Sequence, residues 1–228
     1  MKRIRDKFKN YFSYGNWIYL FHALIILLII FPYIQESDYP QAPLILAFLN
    51  GLVVLAIIYE VSFTRLQFIL ALVLGIPIFV LYWFPYSPTA HFAQIVLHTI
   101  LYLYAIIMIL TVLIPRLTAD IETIFGTISL YILLGLYWAN IYQMIAFFRP
   151  DAFAFSNPAI EKVLDWSDFL YYSFVTLTTL GYGDIIPIAP QARSVAMLEA
   201  MTGVMFIAVI VSKTIALYVG EIRSRTAK

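Results

Sequence analysis

The chain has 228 residues, 63% hydrophobic and only 12% charged, with a mean hydropathy of +0.89 and a formal net charge of +1. A soluble domain carries about a quarter of its residues charged, so this is the composition of an integral membrane protein. Apolar runs of the length found here must be helices in lipid and are too long for barrel strands, while the absence of cysteine excludes disulfides, thiolate metal sites and cysteine nucleophiles.

The expected fold class is therefore all-α, with six membrane spans. The chain opens on M-K-R-I-R-D-K-F-K-N, five basic residues and one acid, and no further Asp, Glu, Lys or Arg occurs until Glu36. Residues 17–34 exceed the apolar core of a signal peptide and lack a small-residue cleavage site after them, so residues 1–16 read as a basic arm before a retained first span. A second span is expected at 42–60. The stretch 66–115 holds no Asp, Glu, Lys or Arg and is long enough for two spans, near 66–84 and 91–114, with W-F-P-Y-S-P-T (Trp83 to Thr89) as the turn between them. Fifth and sixth spans are expected at 123–148 and 191–219.

The natural division is a four-helix peripheral unit, 17–116, and a second unit, 117–228. Basic residues (the N-terminal arm, Arg65, Arg116, and Arg223, Arg225 and Lys228) fall on one side, and Glu36, Asp38 and the 149–168 segment on the other. The Lys/Arg bias then places both termini in the cytoplasm of a plasma-membrane protein. With about nine residues after the last span, no attached cytoplasmic ligand-binding domain is expected.

Between the last two spans lie some 40 residues that fit neither a span nor a simple loop. After Asp168 there are only about 11 apolar or aromatic-rich residues, too few to cross roughly 30 Å of hydrocarbon, so a re-entrant helix over 168–178 is expected. Asp165, Ser167 and Asp168 supply its cap and first turn, and its C-terminal end then directs partial negative charge at residues 179–184.

The segment from Thr176 to Asp184 reads T-L-T-T-L-G-Y-G-D. Glycines at alternate positions, Gly181 and Gly183, permit backbone angles that line successive carbonyls along one axis. One chain gives a single column of oxygens, so several copies around an axis are needed to replace an ion's hydration shell.

The pattern T-x-x-T-x-G-Y-G, here Thr176, Thr179, Gly181, Tyr182 and Gly183, resembles the selectivity filter of potassium channels. The resemblance covers about 123–219 and departs at Leu180, where the family usually has valine or isoleucine. It implies a homotetramer conducting potassium through carbonyls of Thr179, Leu180, Gly181, Tyr182 and Gly183, with K+ held at Thr179 to Tyr182.

The resemblance further implies that Tyr171 and Tyr172 brace the filter from behind, with Thr176, Thr178 and Asp184 supporting it. An interfacial aromatic belt is an equal reading of the two tyrosines. Gly203 matches the inner-helix hinge glycine, although a glycine in a membrane helix is more often a close-packing site. In that register Val204, Ile207, Val211, Ile215 and Val219 line the inner pathway.

Glu199 and Lys213 are costly inside a span. Lys213 is expected to face away from the pathway, toward phosphates or an acid such as Asp120 or Glu122. Voltage-gated relatives carry regularly spaced arginines in the fourth span, whereas 91–114 holds no Arg or Lys, so a charged voltage sensor is not expected. His98 reads as a neutral histidine bonded to a neighbouring helix, and Asn50 and Gly51 as helix-packing residues.

Expected partners are the bilayer and further copies of the chain, with no nucleic acid and no cofactor beyond the permeant ion. The competing readings are a non-conducting modulatory subunit that keeps the channel fold and a transporter built of four fused channel units, of which the chain holds one. With three histidines and no paired metal ligands, no catalytic constellation is found.

Overall fold

A computed structural model describes residues 17–35, 42–61, 64–81, 87–115, 120–157, 159 and 162–226. The basic arm, Glu36, Asp38, most of the Trp83–Thr89 turn and Arg116 lie outside the described residues.

The described chain is almost entirely helical: α1 (Ile18–Gln35), α2 (Ala42–Val61), α3 (Arg65–Leu81), α4 (Pro88–Leu113), α5 (Ile121–Phe148), α6 (Trp166–Leu177), α7 (Pro190–Met205) and α8 (Ser212–Thr226). A π-helical turn, Phe206–Val211, joins α7 to α8 as one continuous inner helix. Two three-residue strands, β1 (Phe153–Phe155) and β2 (Ile185–Pro187), pair antiparallel with Ala154 opposite Ile186.

Three described helices are long and apolar enough to cross a membrane: Pro88–Leu113, Ile121–Phe148 and Pro190–Gly220. Three shorter apolar helices, Ile18–Ile34, Ile45–Glu60 and Arg65–Leu81, accompany them. Helix α5 is the central element. Its Leu130, Leu133 and Leu136 are fully buried in one apolar core with Leu20, Leu24 and Leu27 of α1, Val53 and Ile57 of α2, and Leu101 and Ile109 of α4. Its other side receives α6 and the inner helix.

The starts of α4 and α5 are set by local chemistry. Ser87 accepts from the Ala90 N–H, and Pro88 occupies the first helical position, where its missing N–H costs nothing. Asp120 caps α5 by accepting from the N–H and the hydroxyl of Thr123, at 2.9 and 2.7 Å.

Two polar residues of the outer helices bond within their own helix. His98 donates from Nδ1 to the Gln94 carbonyl of α4 at 2.9 Å rather than to a neighbouring helix by that nitrogen, and Asn50 donates to Leu46 O at 2.9 Å. A Cβ at Gly51 would meet the Phe79 ring at 2.7 Å, so this glycine lets α2 and α3 approach.

Candidate functional site

Helix α6 has 12 residues, about 18 Å at 1.5 Å per residue, and cannot cross a bilayer. Its start is a capping box. The Asp165 carboxylate accepts from the N–H groups of Ser167 and Asp168, and the Asp168 carboxylate accepts from the Asp165 N–H at 2.8 Å. Lys162 lies 3.0 Å from Asp165 and 2.9 Å from Asp168.

At the other end of α6 the chain turns sharply. The N–H of Thr179 donates to Thr176 O at 2.9 Å, and those of Leu180 and Gly181 donate to Val175 O at 2.9 and 3.2 Å. Thr178 closes the helix, its N–H and its hydroxyl both donating to Phe174 O.

Thr179, Gly181 and Gly183 take φ of +59°, +58° and +77°, with ordinary angles at Leu180 and Tyr182 between them. Such alternation turns successive peptide planes so that their carbonyls face the same way. Among the described residues, no backbone or side-chain donor bonds the carbonyls of 179–183. Residues 178–184 are also exposed in the single chain, with Tyr182 at 66%.

The far end of the loop is held by the β1–β2 ribbon, which sequence reasoning did not find. Ser156 N–H donates to Asp184 O, and the N–H groups of Ile188 and Ala189 donate to Ala152 O. The alternation in F-A-F was the available signal, at only three residues.

Tyr171 donates to Asp184 Oδ2 at 2.6 Å, tying α6 to the residue that follows Gly183. Bonding to that carboxylate, then partial burial, pushes the Tyr171 hydroxyl up to about 12. Tyr172 is buried, its ring 4.9 Å from Tyr142 and 5.5 Å from Phe153. Thr176 is half-buried one turn below Tyr172.

Behind α6 lies a second set of contacts. Glu199 of α7 is fully buried and takes the hydroxyl of Tyr142 of α5 at Oε2. Its Oε1 lies 2.5 Å from Ser173 Oγ, which is itself 2.8 Å from the carbonyl of Gly135 in α5. Ser173, Tyr142 and Gly135 escaped the sequence reading because they meet Glu199 only through the packing of α5, α6 and α7, which are separate in the chain. One turn further along, Gly203 lies against the Leu177 backbone.

In the inner helix Val204, Ile207, Ile215 and Val219 are exposed on the single chain, whereas Val211 is half-buried against the apolar core. The expected register assumes an unbroken α-helix. The π turn at Phe206–Val211 alters the residues per turn, which takes Val211 off that stripe. Lys213 does not end on an acid such as Asp120 or Glu122. Its ammonium donates to the Leu113 carbonyl at 3.4 Å and to that of Ile114, at the C-terminal end of α4.

A short helix, a loop whose carbonyls take no donor among the described residues and two long apolar flanking helices are the features of a membrane ion channel. The family described as "Ion channel" matches residues 130–219, from within α5 to the middle of α8. Protein LctB of Bacillus caldotenax is 31% identical over 101 residues, which are 42% of this chain and 72% of that protein. The chain belongs to this ion-channel family. No solved structure matches the chain.

Proposed function

We propose that the chain is a potassium-selective channel, conducting passively as a homotetramer through a filter built from the carbonyls of 179–183. The observation that carries this reading is the alternating positive φ at Thr179, Gly181 and Gly183, with five carbonyls left without a protein donor. Four such columns, with a ring of Thr179 hydroxyls, replace a potassium ion's water with oxygens at Thr179, Leu180, Gly181 and Tyr182. Exposure of 178–184 supports assembly, because irregular backbone at membrane depth must be buried in protein or face water.

In this reading α1 to α5 and the inner helix are six spans, and α6 is re-entrant from outside a plasma membrane, with both termini cytoplasmic. The Lys/Arg distribution supports that orientation. Helix α4 has no Arg or Lys, so gating by charges of that helix is not part of the function.

The test is potassium flux from proteoliposomes holding only this protein, with sodium as comparison ion and Gly181→Ala as control. Alanine at φ +58° costs about 1–2 kcal/mol per site and displaces the carbonyl. Potassium-selective flux lost in the variant is expected. A tetramer that passes neither ion at either voltage sign would replace this reading with the modulatory one.

A further inference from the structure

We propose that Glu199 is a positioning residue for ion selection that works as a neutral carboxylic acid, its proton shared with Ser173. The inference rests on the channel reading for its consequence and on hydrogen counting for its chemistry.

The Ser173 hydroxyl has one hydrogen and stands between two acceptors, Gly135 O at 2.8 Å and Glu199 Oε1 at 2.5 Å. Donating to one leaves two bare oxygens in close contact on the other side. Both contacts are satisfied when Oε1 carries a hydrogen. Glu199 then donates to Ser173, Ser173 donates to Gly135 O, and Tyr142 donates to Oε2.

The surroundings agree. The groups that face the carboxyl are hydroxyls, Tyr142 and Tyr131 from α5 and Tyr172 and Ser173 from α6, and no Lys, Arg or His pairs with it among the described residues. A fully buried carboxylate with no counter-charge is far costlier than a buried acid with both oxygens bonded.

The position explains the role. Glu199 and Gly203 are one turn apart on α7, and they meet Ser173 and Leu177, one turn apart on α6. The carboxyl therefore fixes the height of α6 against the inner helix. The carbonyls of Val175 and Thr176, between Ser173 and Leu177 in the same helix turn, hold the N–H groups of 179–181. Displacing α6 displaces the filter.

Glutamine is the diagnostic replacement, because its N–H donates to Ser173 and its oxygen accepts from Tyr142, as the neutral acid does. Infrared spectra of the full chain in lipid, in H2O and D2O, should show a buried carboxylic-acid C=O band that Glu199→Gln removes. Its absence from the wild type overturns the proton assignment, whether or not the protein conducts.

In flux measurements, Glu199→Gln should keep the wild-type K+/Na+ ratio, while Ser173→Ala and Glu199→Ala lower it about tenfold, the scale of one buried hydrogen bond. Because alanine at 199 opens a cavity, the glutamine and Ser173 variants decide. A glutamine variant as unselective as Ser173→Ala overturns the positioning role. An acid band in a wild type that passes no potassium would overturn the channel reading instead, leaving the proton where it is placed here.

Discussion

A Cβ built on Gly203 would collide with the carbonyl oxygen of Leu177, the last residue of α6, and would lie 2.8 Å from the carbon of that carbonyl. The obstacle is backbone, with no flexible side-chain end to move aside. The same carbonyl faces the Tyr131 hydroxyl at 3.5 Å, so α5, α6 and α7 converge on one peptide group. The glycine is required by this approach, and bending of the inner helix has a separate place available to it in the π turn that begins at Phe206.

Gly203→Ala is therefore expected to destabilise the folded protein by about 1–3 kcal/mol, the range for overpacking. Gly220→Ala, where nothing lies within 4 Å of the added Cβ, is expected to be neutral or stabilising by roughly 0.5–1 kcal/mol. Thermal unfolding of the purified variants reads both. A Gly203→Ala protein with unchanged melting and altered open probability would restore the hinge assignment.

The bond from Tyr171 to Asp184 predicts an alkaline limit. An ordinary tyrosine ionises near 10, and this one is raised to about 12 by the bond it donates to the carboxylate. Its stabilising effect is fully present below about 10 and is lost as pH climbs through about 12. Wild-type K+/Na+ selectivity should fall across that window toward the level of Tyr171→Phe, and Tyr171→Phe should show no matching step. A step of equal size in both proteins would remove Tyr171 from the account.

The capping box at the start of α6 is the next place to cut. Asp165→Ala removes the acceptor for two helix N–H groups and should lower stability by about 0.5–2 kcal/mol. Asp165→Asn should retain most of it, since asparagine caps as well. Melting temperatures of the two variants, measured in parallel, would show whether the cap or the charge is what matters. An asparagine variant as unstable as the alanine one would assign the effect to the pair with Lys162.

Much of this site was legible in the sequence because its demands are local. Positive φ asks for glycine, and Gly181 and Gly183 stand where the loop turns. Thr179 shares that conformation without being glycine, and its need shows only in the backbone. A helix start asks for Asp or Ser, and Asp165 lies one residue before α6. The triad of Tyr142, Ser173 and Glu199 could not be read this way, because its members are joined by packing across three helices. The run F-I-A-V-I-V at Phe206–Val211 holds no residue that marks a π turn, so the register of Val211 could not be foreseen. Bond partners were likewise hidden for Lys213, whose length lets it reach whichever acceptor the fold brings near.

That acceptor is the end of α4, and the contact gives a prediction about how the two halves of the chain communicate. The last carbonyls of a helix lack partners within it and carry partial negative charge, so a lysine there is worth about 0.3–1 kcal/mol. Lys213 supplies that cation to Leu113 and Ile114 from the inner helix, while Thr127 and Thr214 pair their hydroxyls at 3.1 Å between α5 and α8. Lys213→Met should lose that modest stability, and Lys213→Arg should keep it. Neither should change the K+/Na+ ratio, because Lys213 lies 14 residues below Glu199, about 21 Å along the helix. A fall in selectivity on Lys213→Met, with folding intact, would mean that the end of α4 bears on the filter through the inner helix, and that Glu199 transmits strain as well as fixing height.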